Sequence, residues 1–124
     1  MANEARCLIT GLRSIGLKSG DTIAFQLPNW IEAASIDIAC AALGLVVVPI
    51  VPIYRDKELS FILSDANVKA AFIPEKYRSA DFRDMYRRLQ VELECLNSIV
   101  LVRNELPADT NHCEVDFSSL MNNE

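Results

Sequence analysis

Glycine is scarce in this sequence, with four in 124 residues, and histidine occurs once. A dinucleotide fold needs G-x-G-x-x-G straight after a strand, and a P-loop needs a Gly-rich turn running into Lys-Ser or Lys-Thr. Neither is present, and the one Lys-Ser pair, in "LKSGD" (17–21), precedes a strand rather than opening a helix. There is no G-x-S-x-G elbow and no histidine placed as a base, because His112 sits beside Cys113 in a polar stretch. The four cysteines form no C-x-x-C pair, which speaks against a zinc site. Cys7 and Cys40 fall in apolar helical patterns and read as small core residues, so a reducing, cytoplasmic setting is expected.

Long hydrophobic runs are also missing. The stretch Leu43 to Val51 is broken by Gly44 and Pro49, so no membrane span is read here. Met1 to Glu4 lacks a basic region followed by an apolar one, and no secretory signal is expected there. Positive charge is in the minority, 12 Lys+Arg against 17 Asp+Glu for a net charge of −5, which excludes nucleic acid as the main partner. The dense basic stretch "RDMYRR" (83–88) has helical spacing and reads as a solvated helix face rather than an anion site.

What the sequence does contain is an alternation of elements. Ala5, Leu8, Ile9, Leu12 and Ile15 line one face of a helix that ends at Gly16. Thr22 to Leu27 reads as a buried strand ended by Pro28; Asn29 is the expected cap of a helix over Trp30 to Leu43, with Glu32 completing a capping box. Leu45 to Val48 is a second buried strand. Asp56 is the expected cap of a helix over Lys57 to Asp65, and Val68 to Ile73 a third strand ended by Pro74. Asp81 to Glu94 is an amphipathic helix and Ser98 to Val102 a fourth strand. Residues 1–106 therefore form one α/β domain, a parallel sheet of about four strands with helices on both faces. Residues 107–124 read as a polar tail with a last turn over Phe117 to Met121. Prolines at the strand ends argue against a phospho-receiver domain, which needs acidic residues there. In such sheets ligands bind beyond the carboxyl ends of the strands: at Pro28-Asn29, Pro49 to Arg55, Pro74 to Arg78, and Arg103 to Leu106.

The string "GLRSIGLKSGD", then "QLPNWIE", "CAALGLVVVPI" and "YRDKELSFILSDANVKAAF", in that order from Gly11 to Pro74, resembles the early part of AMP-forming acyl-CoA synthetases, in the adenylate-forming ligase superfamily. "PIVPIYRDKEL" is most similar to the medium-chain or cyclic-carboxylate CoA ligases. The resemblance implies a two-step reaction. A carboxylate attacks ATP to give an acyl-adenylate and pyrophosphate; the thiol of coenzyme A then displaces AMP, with magnesium assisting. The family's Ser/Thr/Gly-rich phosphate loop, its downstream Y-G-x-T-E-type motif, its ribose-binding aspartate and its catalytic lysine have no counterpart in these residues. The expectation is an internal slice of the large N-terminal domain, inactive by itself.

No residue takes a catalytic role. In some CoA ligases a basic residue near the second strand-end loop touches a CoA phosphate, and the resemblance implies Arg55 for that contact; the plainer reading is a solvated charge at a helix start. Lys76 and Arg78 lie in the next strand-end loop. Asn29 reads as a helix cap and Trp30 as a packing anchor. The alternative function is a free-standing α/β interaction or small-ligand module derived from such a ligase. A sheet cut from a larger domain leaves an open edge and apolar patches, so self-association, as a dimer, is expected.

Overall fold

The computed structural model describes residues 2–28, 30–77 and 79–121, apart from the side chains of residues 2–5 and 110. Asn29 and Arg78, an expected cap and a strand-end cation, lie outside the described residues. The elements run α1 (Ala2–Ser14), β1 (Thr22–Phe25), α2 (Ile31–Leu43), β2 (Val46–Pro49), α3 (Asp56–Asp65) and β3 (Val68–Pro74). A short hairpin of β4 (Lys76–Tyr77) and β5 (Ala80–Asp81) follows, then α4 (Phe82–Glu92), β6 (Ser98–Val102), β7 (Glu114–Asp116) and α5 (Phe117–Met121).

Five strands make one parallel sheet in the order β2-β1-β3-β6-β7. Its central members, β3 and β6, are apolar runs because helices cover both of their faces. One face packs Leu8 and Leu12 of α1, Ile36 and Cys40 of α2, and Leu120 of α5 against Ile23, Phe72 and Val100. The other packs Leu59 and Leu63 of α3, and Tyr86 and Leu89 of α4, against Ala71, Ile73 and Leu101.

Several sequence expectations change. β2 is an edge strand and not a buried one, with Val46 half exposed, because only β1 pairs with it. Residues 114–121 are not simply a polar tail. Glu114–Asp116 pairs in register with Ile99–Leu101 as a fifth strand, and α5 docks on α1. Asp56 is the first residue of α3 rather than its cap. The free amide of Arg55 is satisfied instead by Glu58 Oε1 at 3.0 Å, and Asp56 pairs with Arg88. "RDMYRR" is a solvated face only in part: Asp84 and Arg88 are exposed, but Arg83 is buried.

Gly11 shows how closely α5 seats. A methyl group there would meet the Cβ and carbonyl oxygen of Leu120 at 2.8 Å, so only glycine lets the two helices approach this far.

Candidate functional site

From the strand order, β1 connects to β2 on one side of the sheet and β3 connects to β6 on the other. The crevice between β1 and β3 is thus the topological switch point, where ligands of open parallel sheets bind. A cleft of about 400 Å³ opens there. Leu27 and Pro28 after β1, Pro52, Ile53 and Arg55 after β2, Tyr77 and Ala80 of the hairpin, and Phe82 at the start of α4 line it. Its walls mix apolar side chains with the polar groups of Arg55, Tyr77 and Ser79, and its volume suits a small molecule.

A buried polar network holds the cleft open. Gln26, which follows β1 inside an otherwise apolar segment, donates from Nε2 to the carbonyls of Val51 (3.1 Å) and Tyr54 (3.0 Å). The hydroxyl of Tyr86 on α4 donates to Gln26 Oε1 at 2.8 Å. The loop after β2 is therefore pinned to β1 and to α4 through side chains that are both fully buried. Burial also pushes the Tyr86 phenol up, so it stays a donor.

Arg55 lies at the mouth of the cleft, exposed. Its Nη1 donates to the carbonyls of Pro52 (2.7 Å) and Tyr54 (2.8 Å), and its Cζ lies 5.4 Å from the centre of the Phe82 ring. One corner of the guanidinium thus clamps its own loop, while Nε and Nη2 make no hydrogen bond among the described residues. Lys76 starts the hairpin next to the cleft but does not line it. Trp30 is an anchor, packed beneath the guanidinium of Arg103 and edge-on to Tyr77. Glu32 pairs with Arg103 Nε at 2.8 Å and Nη2 at 3.0 Å, and the amide it is expected to cap, that of Asn29, lies outside the described residues.

Behind this edge sits a second cluster. Arg83 donates to Glu75 (2.6 Å), Glu114 (2.7 Å) and the carbonyls of Leu106 (3.0 Å) and Pro107 (2.7 Å), and Arg87 adds 2.6 Å to Glu114. Burial raises the Glu114 carboxyl, but hydrogen bonds from Arg87 and Arg83 outweigh it and bring the pKa down to about 2. These arginines are consumed by carboxylates and carbonyls and offer no anion site. Sequence periodicity missed Gln26, Tyr86 and Glu114. The usable signals were a lone glutamine inside "TIAFQLP" and a glutamate inside "CEVDF".

The residues present do not fit the phosphates of ATP or a magnesium ion. Gly16, Gly20 and Gly44 lie in the connections that enter β1 and β2, at the far end of the sheet from the cleft, and Gly11 lies under Leu120. No group of His, Cys, Asp or Glu able to hold a metal occurs among the described residues.

Comparison with known proteins settles the lineage. Residues 1–120 match the family described as AMP-binding enzyme. The chain belongs to this family. It is 37% identical over 109 residues to the medium-chain fatty-acid–CoA ligase of Escherichia coli, covering 88% of this chain and 19% of that protein. It is 30% identical over 107 residues to a mitochondrial medium-chain acyl-CoA ligase of Mus musculus, covering 86% of this chain and 17% of the relative. The family member therefore spans about one fifth of the length of these relatives. Its fold is that of the acetoacetyl-CoA synthetase from Streptomyces lividans (TM-score 0.82, 24% identity, 98% of this chain and 19% of that one). It is equally that of the anthranilate CoA ligase AuaEII in complex with anthranoyl-AMP (TM-score 0.83, 19% identity, 97% and 21%). No helix of the described residues is long and apolar enough to cross a membrane.

Proposed function

We propose that these residues are the sheet scaffold of the N-terminal domain of an acyl-CoA synthetase. Such an enzyme joins a carboxylate to coenzyme A, using ATP and magnesium and releasing AMP and pyrophosphate. The observation that carries this reading is the 37% identity with a medium-chain ligase over nearly the whole chain, on a fold that places its cleft at the switch point. Within that reading Arg55 touches a CoA phosphate through its outward Nε and Nη2 edge, a charge-assisted contact. The phosphate loop, metal ligands and catalytic lysine belong to other parts of such an enzyme, so the 124 residues do not adenylate alone. The free cysteines support a reducing compartment, the cytoplasm in our reading. Burial, with Asp37 nearby, pushes the Cys40 thiol up to about 12, which keeps it inert. Carboxylate-dependent ATP–pyrophosphate exchange by the isolated chain tests the proposal. Background exchange is expected, and exchange that rises with added medium-chain acid contradicts it.

A second reading, an interaction module that self-associates, is favoured by one feature. Ile31 and Ile38 of α2 and Val46 of the edge strand are all substantially exposed. Pro49 has no N–H to give a partner strand, so the apolar side chains rather than strand pairing are the contact. Light scattering across micromolar concentrations is expected to give a dimer, and a monomer throughout rules the contact out.

A further inference from the structure

Trp30 is a poor choice for the position it occupies. It is the N-cap of α2, with φ −96° and ψ 152°, and its side chain makes no capping bond. Ser, Thr, Asp or Asn serve that position better, so the indole is there for another contact. The guanidinium of Arg103 lies over its face, with Cζ 4.4 Å from the ring centre. Its edge meets the ring of Tyr77 at 6.1 Å and 86°. The forked pair to Glu32 fixes the plane of the guanidinium. Arg103 adopts φ 56°, in the left-handed region that a long side chain disfavours. Strain held at the end of a strand, beside a cleft, points to a functional constraint.

We propose that Arg103 is a positioning residue for the cleft. Clamped by Glu32, it holds the indole of Trp30, and the indole sets where Tyr77, one wall of the cleft, stands. Three connections, those after β1, β3 and β6, are thereby locked together across the carboxyl edge of the sheet. The inference concerns the wall and not the ligand, so it stands apart from the reading above.

Trp30 is the single tryptophan, so indole signals from this chain report on it alone. Arg103→Lys keeps the charge but not the planar fork. In Arg103→Lys the thermal midpoint is expected to stay near that of the wild type, while the near-UV circular dichroism of Trp30 weakens and its emission shifts red. Tyr77→Leu should lose the same near-UV band, and Arg103→Lys combined with Tyr77→Leu should lose no more than Tyr77→Leu alone. Recovery of the wild-type Trp30 spectrum in Arg103→Lys reduces Arg103 to a simple ion pair and overturns the proposal. Fully additive spectral losses in the double variant overturn it too.

Discussion

Glu114 accepts from three groups at once. Arg83, Arg87 and the amide of Asp109 all donate to it, and its side chain has no exposed surface. Its carboxyl ionises near 2 in the folded chain against an ordinary value of 4.5. A depressed carboxyl stabilises the fold above its unfolded value and loses that contribution as pH falls through the folded one. Stability against urea is therefore expected to fall as pH drops from about 4.5 to 2, with Glu75 adding to the loss. Glu75 is also held low: the amide of Glu105 and the guanidinium of Arg83 outweigh the effect of burial. Glu114→Gln should cost about 3 kcal/mol at neutral pH, because Arg83 and Arg87 lose the carboxylate they share and the buried Arg83 keeps only Glu75 as a counter-charge, and should flatten the acid dependence. A variant with the same acid profile as the wild type would show that Glu114 does not hold this segment. Tyr86 and Gln26 act at the same scale with neutral groups. Removing either would leave the other's buried polar atom without a partner.

At the scale of elements, the contact of α1 with α5 gives the clearest test. Gly11→Ala ordinarily stabilises a helix by about 1 kcal/mol. Here the added methyl would sit 2.8 Å from the backbone and side chain of Leu120, so the thermal midpoint is expected to fall instead. An unchanged or higher midpoint would mean that α5 is not docked as described. The alternation of helices and apolar strands was legible in the sequence, since β1, β3 and β6 are apolar runs bounded by proline or polar residues. α2, α3 and α4 fall within a few residues of their expected spans. β7 was not legible, because three residues with two acids, Glu114–Asp116, carry no strand pattern of their own. They join the sheet through β6 and through the arginines that bury Glu114. The exposure of β2 was hidden for the opposite reason: a run of valines reads as interior, while strand order, which decides exposure, is a tertiary fact. The cleft was legible only as four strand-end loops. Its pinning by Gln26 and Tyr86 depends on contacts 60 residues apart in sequence.

For the whole molecule, the parts divide unevenly. The chain carries the sheet, the switch-point cleft and the side chains that hold its loops, and among the described residues the cleft lining includes no base and no phosphate cradle. Such a division suits a scaffold that presents a site to chemistry supplied from elsewhere. Grafting tests this directly. The 109-residue matched segment of the E. coli medium-chain ligase is replaced by this chain, and decanoate-dependent ATP–pyrophosphate exchange is measured. A scaffold role predicts exchange within about tenfold of the parent, a barrier change of about 1.4 kcal/mol. A folded chimera with exchange at background would contradict it.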